Sequence, residues 1–150
     1  MIVPDPNFRP NPSRAIFVLG VIDQPLVERL TPQIITLCRQ DREPITAYID
    51  SRGGSVASAE SILRLLQSTD QDGASACRLI TVVTGHAASA AADLLSSGDY
   101  AIAHPESTIL YHGVRTSLND PLTMEIASVI TESLKISNDR YAMTLARKSE

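Results

Sequence analysis

The stretch LITVVTGHAASAAA (Leu79–Ala92) runs from an apolar, β-branched segment into a cluster of alanines with one serine, Ser89, among them. Leu79–Thr84 has the composition of a buried strand. Ala90 to about Ser97 reads as a short helix, with Gly98 placed to close it as a C-cap. A strand passing into a helix through small residues is half of a βα unit, and the flanking chain repeats the pattern. Upstream, AIFVL (Ala15–Leu19) reads as a strand, followed by a helical pattern through Leu26–Gln40. Pro32 interrupts that pattern, and Thr31 as N-cap with Pro32 at the first position restarts it. ITAYID (Ile45–Asp50) reads as the next strand, SRGG as a turn, and Ser55–Ser68 as an amphipathic helix with Ile62, Leu63, Leu65 and Leu66 as its apolar stripe. Downstream, YAIAH and TILYH read as two short strands. A long helix follows from Leu122 to about Arg147, with Asp120 and Pro121 at its start. This alternation predicts an α/β fold with a mostly parallel sheet and right-handed crossovers.

The totals narrow the function classes. The chain has 150 residues and a net charge of −4, so one domain of ordinary size is expected, without the basic field that nucleic acid or an anionic membrane would select. No apolar run is long enough to span a bilayer and no signal-peptide pattern opens the chain, which points to the cytoplasm. Residues 1–14, with four prolines, read as an extended arm before a domain covering residues 15–150. Cys38 and Cys77 lie far apart in the chain and read as reduced, buried thiols, neither a disulfide framework nor a zinc site. No metal or cofactor is expected.

In a parallel sheet, segments beyond the carboxyl ends of the strands gather at one edge, where α/β proteins bind ligands. SRGG, GHAAS and His112 each follow a strand in this reading. Gly53-Gly54 lets backbone approach a ligand closely, although a Gly-Gly at a strand-to-helix turn is, taken alone, more often structural. Ser89 at a helix start is either an N-cap or an exposed nucleophile. His112 is either a structural histidine or a base, and loop positions account for His86 and His104. Ser89, His112 and the amides of Gly54 and Ala90 together could supply nucleophile, base and oxyanion donors.

ITAYIDSRGGSV, VVTGHAASAAADLLSSGD and HPESTILYHG, preceded by RAIFVLGVID, resemble the ClpP-type serine peptidases of the ClpP/crotonase fold, in order and spacing from about Arg14 onward. The resemblance implies Ser89 as nucleophile, His112 as base, and Gly54 and Ala90 as oxyanion-hole amides. It also implies a polypeptide substrate and self-association as stacked rings, with the long helix at the contact. Three features depart from it. Arg52 stands for the turn proline, Ala90 and Ala91 stand for methionine and glycine, and the third triad residue, an aspartate after the long helix, has no counterpart up to Glu150. Weak activity of residues 1–150 is therefore expected, the chain being either part of a longer protein or a degenerate member. The family's axial loop is not matched by the arm, which sets pairing with an ATPase chaperone in question. Two other readings stay open: a crotonase-like acyl-CoA enzyme using the same two amides, and a non-catalytic ring or scaffold component.

Overall fold

The computed structural model describes residues 8–68, 76–113, 115 and 123–148. The chain divides into two units, Met1–Tyr111 and His112–Glu150. In the first, strands β1 (Ala15–Ile22), β2 (Ile45–Gly54), β3 (Leu79–Ala88), β4 (Tyr100–Ala103) and β5 (Thr108–Leu110) alternate with helices α1 (Gln24–Gln40), α2 (Val56–Leu66) and α3 (Ala90–Ser96). The sheet order is β1-β2-β3-β4, and β5 also pairs with β3. Every pairing is parallel, as the alternation predicts. β4 lies beside Ile80–Val83 and β5 beside His86–Ala88. The two short strands thus share one edge of β3, while β2 occupies the other.

The period of two in the strands and 3.6 in the helices explains the core. Ile16, Val18 and Ile22 of β1, Ile45, Ala47 and Ile49 of β2, and Val83 and Ala87 of β3 meet Leu30 and Ile34 of α1, Ile62 of α2, and Leu94 of α3. The alternate residues of β1 face away: Phe17, Leu19 and Val21 are exposed, and Phe17 stacks on Tyr48 of β2 at 5.5 Å between ring centroids.

Several boundaries differ from the sequence reading. α1 does not restart at Thr31. Asp23 caps it, with Oδ1 accepting from the Leu26 amide at 3.0 Å, and the Thr31 hydroxyl donates back to the Val27 carbonyl. Pro32 sits inside the helix on its exposed face, while Leu26, Leu30, Ile34 and Leu37 stay buried on both sides of it. The missing N–H thus faces water, and continuous packing holds the helix through. SRGG is not a turn but the end of β2, because Gly53 and Gly54 pair with Val21 and Ile22. GHAA likewise continues β3, so His86 is a strand residue. Gly98 is not the cap of α3, which is Ser97 in a right-handed helical conformation. Gly98 is needed for space, since a Cβ there would lie 2.6 Å from Thr81 Oγ1. In the arm, Pro12–Arg14 forms a 3-10 turn and Arg14 is buried. Cys38 and Cys77 are both free thiols, and only Cys77 is fully buried.

The second unit carries α4 (Met124–Lys148). Thr123 caps it, its Oγ1 accepting from the Ile126 amide at 3.2 Å. The expected start at Asp120, Pro121 and Leu122 lies outside the described residues. Among the described residues, no helix is long and apolar enough to cross a membrane.

Candidate active site

Ser89 is the hinge between β3 and α3, at φ 56° and ψ −129°. A residue with a Cβ pays for this conformation in strain, of order 1–3 kcal/mol. The serine does not recover it by capping, for its side chain makes no cap hydrogen bond to α3. The backbone fixes the turn instead. The Ser89 amide donates to the Leu110 carbonyl at 2.9 Å, and the Ser89 carbonyl accepts from the Ala92 amide at 2.8 Å. The N-cap reading of Ser89 therefore fails, and a strained serine is left at the strand-to-helix corner.

Gly53 presses its backbone against this corner. A Cβ on Gly53 would lie 2.5 Å from the Ala88 carbonyl oxygen, 2.8 Å from the Ser89 Cβ and 3.2 Å from the Ala90 nitrogen. Its φ of +94° also favours glycine. Ser51 holds it there, its hydroxyl donating to the Gly20 carbonyl at 2.6 Å while its Oγ accepts from the Gly53 amide at 3.0 Å. Ala90 opens α3, where a first-turn N–H has no partner within the helix. The structure thus brings Gly53, Ser89 and Ala90 together. Gly54 is the next residue along and ends β2 beside Ile22. His112 belongs to the second unit, two residues after Leu110. Its Nδ1 is 2.7 Å from the Gly113 carbonyl oxygen. A carbonyl only accepts, so this bond places the proton on Nδ1 and leaves Nε2 as the acceptor nitrogen.

Three neighbours escaped the sequence reading. Asp50 Oδ1 accepts from the His86 amide at 2.9 Å and lies 3.4 Å from His86 Nδ1. Its carboxylate occupies the space a Cβ on Gly85 would need. The strand leading to Ser89 is therefore clamped from β2, and the Asp50/Gly85 pairing carries no signal in one sequence. Tyr111 donates its hydroxyl to the Ala92 carbonyl at 3.1 Å. Asp93, in the first turn of α3, has its carboxyl pushed up to about 7, by burial first and then by the nearby Glu60 charge of α2. No group of three or more His, Cys, Asp or Glu side chains suited to a metal converges among the described residues.

Asp93 makes stability pH-dependent in a defined sense. Its folded pKa lies above its unfolded one, so the folded state keeps the proton that the unfolded chain releases. Stability is lost as pH rises from about 4 to about 7, then levels off. Asp93→Asn is therefore expected to raise Tm over the parent more at pH 8 than at pH 5. Equal differences at the two pH values would contradict it.

Residues 9–147 match the model of the Clp protease family. The chain belongs to the Clp protease family. It is 34% identical over 126 residues to the ATP-dependent Clp protease proteolytic subunit 1 of Thermobifida fusca, covering 82% of this chain and 54% of that protein. It is 31% identical over 101 residues to the ATP-dependent Clp protease proteolytic subunit 3 of Streptomyces avermitilis, covering 66% of this chain and 43% of that protein. A similar match, 32% over 101 residues, is to the ATP-dependent Clp protease proteolytic subunit of Carsonella ruddii, with 66% and 49% covered. The chain thus spans about half the length of the curated relatives it matches. Ser89, Gly53 and Ala90 all fall inside the segment matched by the Clp protease model.

Proposed function

We propose that this member of the Clp protease family is a serine peptidase subunit that cleaves peptide bonds with Ser89 as nucleophile and His112 as base. The observation that carries the reading is the strained, non-capping Ser89 with Gly53 laid against it. A structural role alone does not account for strain at that corner. In the reaction, Ser89 Oγ attacks the scissile carbonyl and Nε2 of His112 takes the hydroxyl proton. The amides of Gly54 and Ala90 hold the oxyanion, and the imidazolium then protonates the departing amine. Water, activated by the same nitrogen, hydrolyses the acyl-serine. The Nδ1 bond to the Gly113 carbonyl supports this role, because it leaves Nε2 as the acceptor. A neutral carbonyl stabilises the imidazolium less than a carboxylate does, so turnover is slow where no aspartate reaches that nitrogen.

A fluorophosphonate probe tests the assignment. One adduct is expected, on Ser89, absent from Ser89→Ala. Labelling elsewhere, or none on Ser89 in a preparation that hydrolyses peptides, refutes it and reopens acyl-CoA chemistry or a scaffold role.

Self-association is the second part of the proposal. In the second unit, Val129, Ile136 and Met143 recur every seven residues on α4 and are 65%, 53% and 62% exposed. Such a stripe is the seam of a helix–helix contact. The sequence reading placed the contact on the long helix as a whole, on which Ile130 and Leu134 are half-buried. Val129→Glu with Ile136→Glu is expected to lower the mass seen by light scattering, since desolvating unpaired charge is costly. An unchanged oligomer would exclude this stripe.

A further inference from the structure

The strand that leads to His112 is held mainly by hydrogen bonds. β5 (Thr108–Leu110) is three residues long and all three are exposed. Ile109 and Leu110 are 43% and 53% exposed, so burial of side chains secures this strand only weakly. Its backbone pairs with His86–Ala88 of β3, and the Leu110 carbonyl accepts from the Ser89 amide at 2.9 Å. That last bond ties the strand to the serine corner at one point, about which the chain is free to pivot.

Tyr111 supplies a second point. Its hydroxyl donates to the Ala92 carbonyl at 3.1 Å. Ala92 is fully buried in α3, so the acceptor belongs to the packed side of the corner. A carbonyl oxygen has two lone pairs, and this one can take the phenol without leaving the helix. Ser89 and Ala92 are three positions apart, about one helical turn along α3. Two bonds spaced that widely fix direction as well as position. Tyr111 closes the first unit and His112 opens the second. Whatever orients Tyr111 therefore orients the peptide from which His112 begins.

We propose that Tyr111 is a positioning residue for peptide hydrolysis: through its bond to the Ala92 carbonyl it sets the direction in which the chain delivers His112 to Ser89. The proposal rests on the reading of Ser89 as nucleophile and His112 as base. Tyr111 acts on the imidazole through one peptide link and makes no contact with the reacting atoms. A displacement of about 1 Å in the base costs roughly 10²-fold in rate. Substrate binding does not pass through the phenol, so its loss falls on kcat rather than on KM.

Tyr111→Phe in the whole chain is the test, because it removes the hydroxyl and keeps the ring. It is read by the rate of fluorophosphonate labelling of Ser89 and by hydrolysis of a fluorogenic peptide. Labelling rate and kcat are expected to fall by about 10–100-fold, with KM within about twofold of the parent. Tm should fall by only about 2–4 °C, the effect of one part-exposed hydrogen bond. Ser107→Ala is the control. The Ser107 hydroxyl donates to the His104 carbonyl at 2.7 Å just before β5, so this variant also loses a hydroxyl bond but leaves the Ala92 link. It should label at the parent rate. In a His112→Ala background, adding Tyr111→Phe should lower the residual rate no further. An unchanged labelling rate in Tyr111→Phe, or a raised KM with kcat unchanged, would overturn the positioning role. So would an equal fall in Ser107→Ala, or the full loss repeated in the His112→Ala background. A parent protein that hydrolyses the peptide with Ser89 unlabelled overturns the peptidase reading itself, and this role with it.

Discussion

Ser89→Gly is expected to abolish peptide hydrolysis while raising the melting temperature. The backbone at φ 56° and ψ −129° suits glycine and strains any residue with a Cβ. Removing the Cβ relieves part of that strain, and the greater freedom of glycine in the unfolded chain offsets part of the gain. A net stabilisation of about 1 kcal/mol results, a few degrees in Tm. Hydrolysis falls by roughly 10⁴-fold or more, since no other group can form the acyl intermediate. Ser89→Ala should lose as much activity without the gain in stability, because its Cβ keeps the strain. The contrast is diagnostic. A serine kept for packing or capping would show destabilisation in both variants. Calorimetry beside a fluorogenic peptide assay reads both quantities, and a lower Tm for Ser89→Gly would contradict the strain argument.

The strand–helix alternation, the parallel sheet and the apolar stripes were legible because they are periodic. Ser89, too, could be singled out, as one hydroxyl among alanines between a strand and a helix. The departures have local causes. Gly53 and Gly54 carry turn propensity, yet pairing with Val21 and Ile22 holds them in β2. Pro32 carries helix-breaking propensity, yet it lies on the exposed face of a helix whose other side is packed. Propensity loses to tertiary contact in both cases. The Asp50 carboxylate beside Gly85 and the Ser51 hydroxyl bond to the Gly20 carbonyl join residues more than thirty positions apart. Nothing in either local sequence announces a distant partner. The His112 tautomer also escaped, because it rests on a main-chain oxygen that every residue carries.

Gly53→Ala is expected to damage the site severely. The added carbon meets the Ala88 carbonyl oxygen at 2.5 Å and the Ser89 Cβ at 2.8 Å, both inside van der Waals contact. Neither neighbour is the free end of a flexible side chain. β2 must therefore back away from the β3–α3 corner, or Ser89 must move. The left-handed φ of +94° adds its own strain. Together these cost about 2–4 kcal/mol of stability. Activity should fall by at least 10²-fold, since a shift of about 1 Å in the reacting groups has that effect. Gly20→Ala is the control, because it too has positive φ, +76°, but open space where the Cβ would go. It should show the smaller stability loss that strain alone imposes and keep most of the activity. If the two variants lose stability and activity equally, close approach of Gly53 to Ser89 is not what shapes the site. If Gly53→Ala alone loses activity and fluorophosphonate labelling of Ser89 together, the glycine is fixed by the backbone contact that holds the nucleophile in place.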